Sequence, residues 1–166
     1  MIFPFRAISL LEPRPFGGGD VTYRPMIQLG VRVPGVGPCV FDRALVDSGS
    51  DMTLFSLDTA SDLGLDLTGA PMTRQATANG GRFRVRFAEL ELTLAASVFH
   101  YVRWRAVVGF AAIPRAVLGY RGGLEFFTFT FTSDTTNFRF TLLPNQRMPA
   151  TDQRLPASDQ ALFPTP

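Results

Sequence analysis

Ala44-Leu45-Val46-Asp47-Ser48-Gly49-Ser50-Asp51-Met52-Thr53 is the most informative stretch of the chain. A run of apolar residues carries an aspartate into a Ser-Gly turn, and a second hydroxyl and a second carboxylate follow. Taken alone, an Asp-Ser-Gly triplet is an ordinary way to close a strand, because the short polar side chain bonds backbone two residues on. The apolar run in front alters that reading. It would bring Asp47 to the end of a strand that enters the core, where a carboxylate without partners is costly. A partner for Asp47 is therefore expected.

The neighbouring sequence supplies the frame. Residues 39–46 (CVFDRALV) read as the strand that delivers Asp47, with Val40, Ala44 and Val46 on one face, and residues 24–33 (RPMIQLGVRV) read as a strand before it, stopped by Pro34-Gly35. Beyond the turn, residues 56–63 read as a short helix. Ser56 suits the N-cap, Asp58 the first turn and Gly64 the stop. Asn79-Gly80-Gly81 is a strong tight-turn signal, and Arg82-Phe83-Arg84-Val85-Arg86-Phe87 alternates strictly behind it, so a β-hairpin tipped at Asn79-Gly80 is expected. Further strands are expected at 89–95, 98–108, 126–132 and 137–143, the last two joined through residues 133–136 as a hairpin. The fold class is all-β, with one short helix or two.

Composition removes several chemistries. The 166 residues are 46% apolar and 18% charged, which fits one domain with a real core. All 16 cations are arginines, so Schiff-base chemistry and a phosphate-loop lysine are excluded. One His (His100) and one Cys (Cys39) cannot assemble a Cys/His zinc site within a chain, and any Ser or Cys nucleophile would depend on His100. Acid–base work falls to carboxylates. A net charge of +2 gives no argument for a nucleic-acid partner. The first residues lack the basic region of a secretory signal, and no apolar run of about 18 residues could span a membrane. A single cysteine permits no intrachain disulfide and fits a reducing cytosol, so a cytoplasmic location is expected.

The Asp47 loop, the hairpin Gly80-Gly81-Arg82-Phe83-Arg84-Val85-Arg86, and Pro114-Arg115-Ala116-Val117-Leu118-Gly119 occur in an order that resembles the retropepsin family, the retroviral-type aspartic proteases and their cellular and bacterial relatives. The resemblance covers about residues 24–143. It leaves 1–23 as an N-terminal extension and 144–166 as a Pro-rich tail, expected to be disordered. It implies a single-lobed acid-protease fold with a flap hairpin, a homodimer, a peptide or protein substrate, and neither cofactor nor metal.

Roles are implied residue by residue. Asp47 from each subunit would form the catalytic dyad, in which two touching carboxylates share a proton because both cannot readily ionise. Ser48 would bond across the dimer, Gly49 would let backbone approach the carboxylates, and the Ser50 hydroxyl would favour the ionised dyad and an acid-shifted optimum. Asp51 would bond substrate backbone, Asn79, Gly80 and Gly81 would close over it, and Arg115 and Val117 would line subsites beside the scissile bond. One departure stands out. Many retroviral members place Arg directly after the glycine of the second segment, to pair with the carboxylate matching Asp51; here Tyr120 follows Gly119, and Arg121 comes one residue later.

Other readings stay open beside this one. A dimeric retropepsin-like module that binds or scaffolds peptides without cleaving them fits the same motifs, and so does an unrelated β-barrel in which Asp47 closes a turn. His100 reads as structural, Cys39 as a small core residue, and Trp104 as core or interface packing. Arg82, Arg84 and Arg86 read as the solvated face of a strand, with steering of acidic substrates as a minority alternative.

Overall fold

The computed structural model describes residues 1–9, 21–77, 80–97, 100–133 and 138–149. The elements in chain order are β1 (Ile2–Pro4), β2 (Arg6–Ser9), β3 (Val21–Arg24), β4 (Met26–Val33), β5 (Val36–Val46), β6 (Leu54–Ser56), α1 (Leu57–Asp62), β7 (Met72–Ala76), β8 (Arg82–Ser97), β9 (His100–Ala111), β10 (Ala116–Leu118), a 3-10 turn at Leu124–Phe126, β11 (Phe127–Ser133) and β12 (Phe138–Pro144). The chain is mostly strand with one short α-helix, as the sequence implies. No helix among the described residues is long and apolar enough to cross a membrane.

Seven strands form the main sheet in the order β4-β5-β10-β6-β9-β8-β7, and β4 also pairs with β8. That extra pairing closes six strands into a ring and leaves β7 outside it, on the first part of β8. Strand β8 serves both structures because it runs 16 residues without a break. Residues 82–87 and 89–95, expected as separate strands, are thus continuous through Ala88, where neither Gly nor Pro interrupts the ladder. The last strand before the second apolar segment is longer than expected and is described from His100, Val98 and Phe99 lying outside the described residues.

Alternation decides the core. Leu90, Leu92 and Leu94 of β8 are fully buried, as are Leu29 and Val31 of β4 and Trp104 of β9. Each such side chain contributes about 1.5–3 kcal/mol relative to exposure. The indole N–H of Trp104 donates to the Gly122 carbonyl at 3.0 Å, so the one tryptophan is a core residue with its polar atom satisfied. Cys39 is only half-buried, and His100 is exposed at the start of β9.

A second sheet, β1-β12-β11, covers one side. Its FTFTFT pattern turns Phe127, Phe129 and Phe131 to one face and threonines to the other. Phe140 and Leu142 of β12 are buried beneath, and Phe3 stacks on Phe140 at 5.4 Å between ring centroids. The chain's first residues belong to this sheet: Met1 is buried, and its ammonium donates to the Leu142 carbonyl at 3.0 Å. Helix α1 forms as its caps imply. The Ser56 hydroxyl accepts from the Thr59 amide at 3.1 Å, Gly64 ends the helix at φ +64, and the Thr59 hydroxyl ties it to Asp42 of β5 at 2.7 Å.

Candidate active site

Strand β5 delivers Asp47, and β10 locks it. The parallel register Ala116↔Ala44, Val117↔Leu45, Leu118↔Val46 continues one step past the strand, because the Asp47 amide donates to the Leu118 carbonyl at 3.1 Å. The turn then closes on the aspartate itself. The Gly49 amide donates to Asp47 Oδ1 at 2.9 Å and the Ser50 amide to the Asp47 carbonyl at 3.2 Å. Asp47 Oδ2 accepts no hydrogen bond from any described residue. The aspartate is half-buried, while Ser48 and Gly49 are exposed.

Residues 119–121 run beside the rest of the loop in the same direction. Tyr120 donates its amide to the Ser50 carbonyl at 2.9 Å, Arg121 donates to that of Asp51 at 3.0 Å, and Thr53 donates to that of Arg121 at 2.8 Å. The approach is too close for a side chain at Gly119, where a Cβ would overlap the Met52 carbonyl and stand 2.9 Å from Ser50 O. Thr53 is fully buried and its hydroxyl donates to the Gly119 carbonyl at 3.4 Å. Since β10 pairs with both β5 and β6, it fills the slot between the two strands that flank the Asp47 loop.

Hairpin β7–β8 leans on the same region. Phe83, Val85 and Phe87 form a small apolar cluster with Met52 and Leu54, which follow the Asp47 loop, and with Ala111, Ile113 and Val117. Gly109 of β9 makes room: a Cβ there would overlap Val85 Cγ1 and lie 2.7 Å from Leu54 Cδ2. At the tip, Thr77 donates to the Gly81 carbonyl at 2.8 Å and Gly80 to that of Thr77 at 2.9 Å, with Gly80 at φ +83. Ala78 and Asn79 lie outside the described residues.

An aspartate loop locked by an inserted strand and faced by a hairpin is matched at the level of sequence as well. A family model described as aspartyl protease matches residues 30–120, more than half of the chain, from within β4 through the Asp47 loop and hairpin to Tyr120. The chain belongs to the aspartyl protease family. No curated protein sequence matches it significantly. Among solved structures it is similar to a retropepsin-like aspartic protease from Rickettsia conorii, at 18% identity over 82% of this chain and 98% of that one, with a TM-score of 0.47. It is also similar to the EIAV protease solved with the inhibitor HBY-793, at 17% identity over 58% of this chain and 81% of that one, with a TM-score of 0.38.

In this member of the family, the described residues singled out from sequence lie in the Asp47 loop, at the hairpin tip, and in or just ahead of β10. Asp47, Ser48, Gly49, Ser50 and Asp51 form the loop, and Val117 lies half-buried in the adjoining cluster. Gly80 and Gly81 sit exposed at the hairpin tip, and Arg115 is exposed just ahead of β10. Asp51 and Arg121 meet through backbone rather than through an ion pair, and both side chains are exposed. The Ser50 hydroxyl donates to the Met52 carbonyl at 2.9 Å. Its one hydrogen is therefore committed to backbone within the chain and not to Asp47.

Sequence reasoning missed Thr53, Met52 and Gly109 as parts of this architecture. A signal for Gly109 was present, since a glycine inside the apolar run Val107-Val108-Gly109-Phe110 marks close approach of another element. Tyr120 was noted only as a departure, yet its phenol receives Arg147 Nη1 at 3.3 Å from the turn after β12. Among the described residues no three His, Cys, Asp or Glu side chains gather as a metal ion would need.

Proposed function

We propose that the chain is an aspartic endopeptidase that works as a homodimer, with residues 24–143 as the protease unit and Asp47 from each subunit forming the dyad. The observation that carries this reading is the Asp47 loop: anchored from behind by Leu118, yet open at Ser48, Gly49 and the Asp47 carboxylate. A single chain offers one such carboxylate, so a second copy completes the site. The exposed Ser48 hydroxyl makes no bond with any described residue and is available to bond across the dimer.

The chemistry follows from two carboxylates in contact. One is held protonated because both cannot readily ionise. The ionised carboxylate takes a proton from a water held between them, and that water attacks the peptide carbonyl. The protonated carboxyl donates to the oxygen as negative charge develops there. Collapse of the tetrahedral intermediate with proton transfer to the amine breaks the C–N bond. The hairpin β7–β8, closing over an extended peptide with Gly80 and Gly81 at its tip, would exclude water and offer backbone for pairing. Asp51 would bond the substrate backbone, Asn79 would close with the tip, and Arg115 and Val117 would border the subsites.

Peptide-library cleavage read by mass spectrometry from about pH 3 to 8, on wild type and Asp47→Asn together, tests the proposal. Sedimentation of the same samples gives the oligomeric state. Cleavage by a dimer that disappears with Asp47→Asn is the expected result. A folded dimer that cleaves nothing would leave a peptide-binding module, and cleavage surviving the substitution would place the chemistry elsewhere.

A further inference from the structure

Hairpin β7–β8 has two unlike faces. Phe83, Val85 and Phe87 turn toward the cluster beside the Asp47 loop. The opposite face is set by the register Met72↔Arg86, Arg74↔Arg84, Ala76↔Arg82. It presents four arginines, of which Arg74, Arg82 and Arg84 are exposed. Arg86 is already engaged, donating to the Leu67 carbonyl at 2.7 Å and the Thr68 carbonyl at 3.0 Å. The other three take no part in the ion pairs among the described residues, which join Glu91 to Arg103 and Arg105.

Arg74 and Arg84 stand directly opposite one another, and like charges so placed weaken a strand pair. Residues 72–87 hold four arginines and no carboxylate, which leaves 12 arginines against 14 carboxylates for the rest of the chain. The hairpin is a positive arm on a slightly acidic body. Its repulsion would be relieved by a ligand carboxylate seated between the two guanidiniums, whose planar forks suit that geometry. Arg82 and Arg84 are two residues apart on one strand, about 6.8 Å, which is also the repeat of alternate side chains in an extended peptide. The face offers no aromatic platform, because Phe83 and Phe87 point the other way, so stacking of nucleobases has nothing to use.

We propose that Arg74, Arg82 and Arg84 form a docking face for a carboxylate-rich, extended segment of the polypeptide substrate, outside the cleft and on the back of the hairpin. The proposal rests on the endopeptidase reading for the word substrate; the binding itself does not need cleavage. An acidic segment held there would tether the polypeptide beside the Asp47 loop.

The test is binding of fluorescein-labelled hexaglutamate to the Asp47→Asn chain by anisotropy at low and high salt. Arg74→Gln/Arg84→Gln should weaken binding about tenfold, with a smaller loss for Arg82→Gln and none for the exposed Arg43→Gln on β5. Because the double change removes a repulsive pair, its melting temperature should equal or exceed that of the parent, which separates docking from misfolding. Unchanged affinity in the double variant, absence of binding, or tighter binding of an oligothymidylate of equal charge would overturn the proposal. In the cleavage-competent chain, an acidic extension on a cleaved peptide should raise kcat/KM, and that gain should vanish in the double variant. Absence of cleavage by the wild-type chain, with binding intact, would count against the endopeptidase reading and not against the docking face.

Discussion

The amide of Asp47 donates to the carbonyl of Leu118, joining two segments far apart in sequence through one hydrogen bond of 3.1 Å. It continues the parallel ladder between β5 and β10 and so fixes the height at which the aspartate leaves the sheet. The bonds of Tyr120 to Ser50 and of Arg121 to Asp51 then carry the same alignment around the loop. Position of the carboxylate is thus a property of β10 as much as of the loop that contains it.

Replacing Gly119 with Ala should damage both stability and the loop. The new Cβ would overlap the Met52 carbonyl, which is backbone and cannot swing away. Urea unfolding should show a loss of about 3 kcal/mol. Any cleavage activity should fall further than the folded fraction, because the displaced atoms belong to the Asp47 loop. Activity tracking the folded fraction alone would mean that β10 supports the loop without aligning it.

Ser50→Ala separates two roles for one hydroxyl. Its bond to the Met52 carbonyl predicts a stability loss of about 1 kcal/mol and an unmoved acid limb in the pH–rate profile. A hydroxyl that instead favoured the ionised dyad, as the family resemblance implies, would shift the optimum toward neutrality when removed. The pH profile of the variant decides between them.

Asp66 makes the stability of the fold depend on pH away from the site. The Thr68 hydroxyl and then the Thr68 amide, at 2.8 Å, hold the carboxyl of the exposed Asp66 below the ordinary value of 3.8; partial desolvation opposes them and Arg86 adds a smaller pull. A depressed folded value stabilises above the unfolded value and is lost as pH falls through the folded one. Asp66→Asn should therefore be less stable than wild type at neutral pH, and the two should converge in strong acid. A constant difference in melting temperature across that range would contradict the linkage.

Trp104→Phe should cost about 2–3 kcal/mol, from a cavity in a fully buried position and from the Gly122 carbonyl left without its donor. Because Gly122 lies in the turn that follows β10, the loosened turn should also show as faster amide exchange at Gly123 and Leu124. A stability loss with unchanged exchange there would confine the effect to packing.

The sequence by itself determined the local elements whose signals are short-range. The Asp-Ser-Gly turn, the Ser56 cap with its Gly64 stop, the hairpin behind Gly80 and the paired strands β11 and β12 each follow from side-chain chemistry and alternation within a few residues. The residues of the Asp47 loop were legible for the same reason. Tertiary structure alone decided what depends on contacts between distant segments. It inserted β10 between β5 and β6, ran β8 on to close the ring with β4, and drew Met1 and Phe3 onto β12. It turned the Ser50 hydroxyl to Met52 and set Arg74 opposite Arg84. A period-two pattern says which face of a strand is apolar but not which strand lies beside it, so pairing and register are settled only when the whole sheet closes.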